Sequence, residues 1–104
     1  PDISMNPTKV CRTRLYTLTD LPNIGEAMAE DLRLLGYETP QDITGSDPVI
    51  MYEMLCAVTG VRQDPCVIDV FWSVTDFLAG QPAQPWWNYT GQRKAYLNEM
   101  AKLR

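Results

Sequence analysis

The chain has 104 residues, 45% apolar, 21% charged and 10% aromatic. That is the profile of one globular domain; disorder would need fewer apolar residues, and no apolar run here is long enough to span a bilayer. Nine Lys and Arg against thirteen Asp and Glu give a formal charge of −4, and there is no histidine, which excludes a strongly basic nucleic-acid binder, His-dependent metal sites and His-based triads.

The predicted elements follow from helix punctuation. A first helix is expected at roughly Arg12 to Asp20 and a second at roughly Glu26 to Leu35, with Met28, Leu32 and Leu35 inward and Glu26, Glu30 and Arg33 outward. Thr39-Pro40, with Asp42 close to completing a capping box, predicts a single turn over Pro40 to Ile43. Asp47-Pro48 and Asp64-Pro65 each set a cap oxygen before a proline that sacrifices no helix hydrogen bond. They open helices near Pro48 to Thr59 and Pro65 to Ala79, and Gly36, Gly60 and Gly80 mark stops. The helix after Pro48 is apolar nearly all round, with Glu53 its one charge, so it is expected to be the central buried element. In the next helix Val67, Val70, Phe71, Val74, Phe77 and Leu78 form an inward stripe, opposite a wet one of Asp69, Ser73 and Asp76. Gln81 to Tyr89, with Pro82, Pro85 and Trp86-Trp87, reads as an ordered arm leading to a last helix at roughly Gln92 to Leu103. No segment alternates as a strand would, so the expected class is all-α, as a single domain over 1–104 with its core at about residues 12–80.

The stretch Leu21-Pro22-Asn23-Ile24-Gly25-Glu26-Ala27-Met28-Ala29-Glu30-Asp31-Leu32 resembles a helix-hairpin-helix motif, apolar-x-Gly-apolar-Gly followed by small and apolar helix positions. Leu21 and Ile24 would anchor the turn, Gly25 would let the backbone turn tightly, and Ala29 would let the helices approach. Asn23 stands where the motif has its first glycine, a change that asparagine's access to left-handed φ/ψ permits. In that motif the N–H groups of the turn and of the second helix's N-terminus point outward, where a phosphate can accept from them. Glu26 and Ala27 occupy positions where motif-bearing DNA binders often place a lysine, and the acid opposes a phosphate. With a connector turn and a second helix pair across Gly60-Val61-Arg62-Gln63-Asp64, the layout resembles a tandem helix-hairpin-helix (SAM-like) five-helix core plus a C-terminal helix.

Leu21 to Gly25 with Ala29 to Leu32, then Asp64-Pro65-Cys66-Val67, then Pro85-Trp86-Trp87 with Tyr89-Thr90 and Arg93-Lys94, resemble blocks of a small bacterial helix-hairpin-helix family, the pathogenicity-locus family, some of whose members are labelled mitomycin-resistance proteins. Gln63 stands where that family is expected to carry a histidine. The resemblance implies a cytoplasmic, DNA-associated role and brings no reaction with it.

Three cysteines, Cys11, Cys56 and Cys66, without CxxC spacing argue against a disulfide scaffold. No basic-then-apolar leader opens the chain, so a reducing cytoplasm is the expected compartment. Cys56 and Cys66 could meet across the Gly60 turn as a thiol site, with the helix N-terminus lowering the pKa of Cys66; buried free thiols acting as small core residues are the expectation. Trp86, Trp87 and Tyr89 read as a cap on the core or as a stacking patch. Arg93-Lys94 opens the last helix, where the macrodipole prefers acids. The acidic pairs are explained by capping and exposure, so neither catalysis nor a cofactor is expected. The leading expectation is a weak, sequence-independent DNA contact through Asn23, Ile24, Gly25 and Ala27, assisted by Arg12 and Arg14 of the Lys9-Arg12-Arg14 cluster. The alternative is a protein-interaction module in which the hairpin only packs, and neither reading involves a membrane.

Overall fold

Helix boundaries fall where the capping chemistry puts them. The computed structural model describes residues 10–103. These form four α-helices, α1 (Glu26–Leu34), α2 (Pro48–Thr59), α3 (Cys66–Leu78) and α4 (Thr90–Lys102), with single 3-10 turns at Leu18–Asp20, Pro40–Ile43 and Trp86–Tyr89. Among the described residues there is no strand, as the caps and stripes predict. One Asp47 carboxylate oxygen accepts from the N–H of Val49 and of Ile50 at 2.8 and 3.1 Å, with Pro48 opening the first turn of α2. Asp64 does the same for α3, accepting from the Cys66 N–H at 2.8 Å while Pro65 already holds helical φ/ψ. The Thr39 box is formed too: the Thr39 N–H donates to the Asp42 carboxylate at 3.0 Å.

At the far ends, Gly36 (φ 95°) and Gly80 (φ 109°) take the left-handed turn that lets the next N–H reach back to the helix. Tyr37 N–H donates to the Leu32 carbonyl and Gln81 N–H to the Asp76 carbonyl, so both helices close on the same six-residue loop.

The predicted first helix is absent. Over residues 12–20 the helical structure is confined to the 3-10 turn Leu18–Asp20, after a hydrogen-bonded turn in which the Arg14 N–H donates to the Cys11 carbonyl at 2.9 Å. Its cause is local competition: Asp20 accepts from the N–H groups of Tyr16 and Thr17, both at 2.8 Å, removing donors that a helix would have spent on carbonyls one turn back. Thr13, Thr17 and Thr19 add β-branched or hydroxyl-bearing positions that lower helix propensity. Asp20, expected near a helix end, instead completes a capping box that begins a turn.

Nor is α2 the centre. It buries Met51, Tyr52 and Leu55, but Ile50, Met54 and Val58 stay exposed. The central element is α3, which buries Ile68, Asp69, Val70, Phe71, Ser73, Val74 and Phe77. It packs against α2 and also against the Trp86–Tyr89 turn, which leads into α4. The predicted wet stripe is therefore corrected: Asp69 and Ser73 are buried and Asp76 is half-buried, because the arm after Gly80 lies over that side. Leu21 and Ile24 are buried as anchors, together with Ala29 and Leu32 of α1.

The segment before the first 3-10 turn has a structural job. The Arg12 guanidinium donates to the carbonyls of Phe77 and Gln81 at 2.5 and 2.7 Å and lies 4.0 Å over the Phe77 ring, placing a cation on the carbonyl-rich end of α3. Arg12→Ala is expected to destabilise the fold by about 1–2 kcal/mol, since bonds from a charged donor to helix-end carbonyls are lost. A denaturant midpoint equal to the wild type would show that α3 ends independently of Arg12.

Candidate nucleic-acid contact

Between the first 3-10 turn and α1 the chain reverses over Leu21 to Gly25. Asn23 supplies the conformation that makes this possible, with φ 65°, the one non-glycine residue of positive φ among those described. Gly25 does not: its φ −93° and ψ −175° are extended backbone open to any residue, so the tight-turn requirement expected there belongs to Asn23. Asparagine suits this position because its amide can bond locally or across the turn while the backbone is left-handed. The amide here is buried and turned inward. Its Nδ2 donates to Ser73 Oγ at 2.9 Å and to the Gln84 carbonyl at 2.8 Å, tying the turn to α3 and to the arm. Ser73 in turn donates to the Val70 carbonyl.

The outward side of this turn is the N-terminus of α1. Gly25 is half-buried; Glu26 and Ala27 are exposed. The first N–H groups of a helix have no partner within it, and no side chain caps them at α1, in contrast to Asp47 at α2. Ile24 is buried and its N–H turns back to the Leu21 carbonyl at 3.4 Å, so Ile24 anchors the turn. Glu26 adds a negative charge beside the positive end of the macrodipole. Of the predicted basic neighbours, Arg12 is committed to the end of α3, Arg14 is exposed, and Lys9 lies outside the described residues.

A second polar centre went unread in the sequence. Asp69 is fully buried in α3, and Arg93 of α4 meets it through Nε at 2.9 Å, with a second bond from Nη2 at 3.4 Å. The Thr90 hydroxyl donates at 2.7 Å to Oδ2, the oxygen that Nη2 also meets, while Nε meets Oδ1. Arg93, placed against the macrodipole of α4, answers this inside anion. The Arg93 guanidinium also stands 3.8 Å from Cys66 Sγ. Contact with the Asp64 carboxylate and partial burial push the Cys66 thiol up, which corrects the lowering expected from the helix N-terminus. All three cysteines are free, Cys11 exposed and the other two half-buried. The signal that could have found the centre is a carboxylate flanked by Ile68 and Val70 in a strongly apolar helix, with an arginine placed against the dipole of the last one.

The aromatic arm divides. Trp86 packs on the core, Tyr89 is buried, and Trp87 is 61% exposed, edge-on to Trp86 at 5.6 Å. Burial, with the Asp76 carboxylate beside it, pushes the Tyr89 hydroxyl up to about 12. Among the described residues no group of three or more metal-ligating side chains converges, and no helix is long and apolar enough to cross a membrane.

Two expected outcomes test this geometry. Asn23→Ala places an ordinary residue at φ 65° and strips the hydrogen bonds from a buried site, so it should cost about 2–4 kcal/mol; Asn23→Gly keeps the backbone freedom and should cost less, about 1–3 kcal/mol. Urea denaturation reads both, and equal costs would mean that the left-handed backbone contributes nothing. Arg93→Met leaves the Asp69 carboxylate buried without its cation and should cost about 3–5 kcal/mol, whereas the Asp69→Asn, Arg93→Met pair should recover part of it. Strict additivity of the two changes would contradict the coupling.

A profile of the Cdd1 family, described as pathogenicity locus, matches residues 11–95 of the chain. The mitomycin resistance protein McrB of Streptomyces lavendulae is 40% identical over 80 residues, covering 77% of this chain and 76% of that protein. No solved structure matches. The chain belongs to the pathogenicity-locus family.

Proposed function

We propose that this protein makes a weak, sequence-independent contact with DNA, in which a phosphate accepts from the backbone N–H groups that open α1. One observation carries the reading: α1 begins at an exposed first turn with no side-chain cap, directly after a reversal held by left-handed Asn23. In this reading Leu21 to Leu32 is a helix-hairpin-helix in which the first helix has shrunk to one 3-10 turn, within a tandem, SAM-like arrangement whose second pair is α2 and α3. The phosphate would sit against the N–H groups of Gly25, Glu26 and Ala27, where the macrodipole favours an anion. Asn23 and Ile24 hold the turn from inside. Arg14 is the nearest basic residue along the chain not committed to the fold, and Arg12 supports α3 instead.

Backbone donors carry no base information, so binding should be indifferent to sequence. Few cations take part, so few counterions are released: the salt dependence should correspond to roughly two to four phosphates, with affinity of about 10⁻⁴ to 10⁻⁶ M. Fluorescence anisotropy with short duplex and single-stranded DNA at low and high salt measures both. Glu26→Lys should tighten binding with little effect on stability, since it replaces an exposed acid at the mouth by a base. Arg14→Ala should weaken it and flatten the salt slope.

A second reading, a protein-interaction module in which the hairpin only packs, is favoured by the inward-turned Asn23 amide and by Glu26 at the mouth in a chain of charge −4. It replaces the first if the wild type shows no DNA binding at about 50 mM salt and Glu26→Lys gains none.

A further inference from the structure

Helices α2 and α4 both pack on α3 and touch each other little, so a groove of about 500 Å³ opens between them beside the start of α3. Ile68, Leu97 and Met100 give it apolar walls, and Tyr52, Glu53 and Arg62 are its polar lining. A small-molecule site has this size and this make-up, a mostly apolar surface with a few placed polar groups.

The polar groups are of unequal character. The Tyr52 hydroxyl donates to the Gln63 carbonyl, and the Arg62 guanidinium donates to the Tyr52 oxygen and stands beside the Cys56 thiol. Burial pushes the Tyr52 hydroxyl up, so it stays a neutral phenol and cannot cancel the cation. Among the described residues no carboxylate pairs with Arg62. A guanidinium steadied by a neutral partner keeps its charge and its remaining N–H groups for an anion. Glu53 lies on the other side of this balance: it also lines an adjoining groove together with Asp47, so carboxylates border the way out along α2.

We infer that this groove receives an amphipathic organic monoanion, with its one acidic group on Arg62 and an aromatic or short alkyl body against Ile68, Leu97 and Met100. Each part of the ligand answers a separate feature. The walls call for an apolar body, the guanidinium for an acid, and Glu53 with Asp47 repels a second one. A polyanion such as a nucleic acid would have to pass those carboxylates. The groove shares no residue with the Leu21 to Ala27 turn, so its occupancy is independent of the DNA reading.

Fluorescence titration of the full chain with anilinonaphthalene sulfonate, rings bearing one acid, tests this beside phenylnaphthylamine, the same rings without the acid. The sulfonate should saturate one site with a dissociation constant of about 10–100 µM. Arg62→Met should weaken the sulfonate about tenfold and leave the uncharged probe within about twofold. Glu53→Gln should tighten the sulfonate about two- to threefold. Met100→Gln, similar in shape but polar, should weaken both probes about threefold or more. Glu26→Lys, at the α1 turn, should change neither. Each variant should keep its helical circular dichroism and a cooperative thermal transition, because the dye also lights up a loosened chain. A wild type without saturable sulfonate binding up to about 1 mM overturns the proposal. So does an Arg62→Met variant that holds the sulfonate as tightly as the wild type. A mass that doubles in sedimentation without any probe, and falls back in Met100→Gln, overturns it too and gives the groove to a second copy.

Discussion

A carboxylate buried from solvent governs how the C-terminal third of this protein sits. Asp69 lies in the middle of the apolar helix α3, and burying an unpaired carboxylate would cost more than the surrounding packing returns. Its oxygens are met by Arg93 and Thr90, both of α4. The start of α4 is thereby held against α3, and the chain from Gly80 to Tyr89 must cross the same side of α3 to reach it. That crossing buries Ser73 and brings the Gln84 carbonyl to the Asn23 amide, so the turn before α1 is also fastened to this polar line. One row of small polar groups on α3 thus orients the aromatic arm, the last helix and the reversal that opens α1.

The sequence made local chemistry legible and tertiary partners much less so. Asp47, Asp64 and Thr39 act within three residues of themselves, and the helices or turns they open begin within about one residue of where their spacing places them. The same locality misled at Arg12 to Asp20, where helix punctuation suggested a helix and the Asp20 carboxylate offered the N–H groups of Tyr16 and Thr17 a nearer acceptor. Periodicity identified the polar side of α3 correctly. It could not say whether water or a guanidinium covers that side, because Arg93 is 24 residues away along the chain. Composition likewise overrated α2: being apolar all round ranks a helix as buriable, yet α3 and its neighbours have room for only one side of it.

At the candidate site the backbone was more readable than the side chains. Asparagine in place of a motif glycine pointed to a left-handed residue, and φ 65° at Asn23 agrees. Where its amide would go depended on Ser73 and Gln84, 50 and 61 residues distant. Arg12 looked like a free cation because nothing near it in sequence is acidic. Its partners are carbonyl oxygens at the end of α3, a form of negative charge that a count of acids never registers.

That distinction between charge and dipole bears on what this surface can hold. Among the described residues four of the seven cations are committed: Arg93 to Asp69, Arg12 to α3, Arg33 to Glu30 and Lys102 to Glu99. A chain of net charge −4 draws a polyanion only weakly over distance, and at physiological salt such attraction fades within about 8 Å in any case. The N–H groups at the start of α1 act differently. Their dipoles are fixed by the helix and are not cancelled by acids elsewhere, although Glu26 opposes them locally. A phosphate held there would be a short-range, geometrically defined contact that is weak and almost independent of long-range field. Binding by a basic patch has the opposite character, so the steepness of the salt dependence separates the two physical mechanisms even where their affinities coincide.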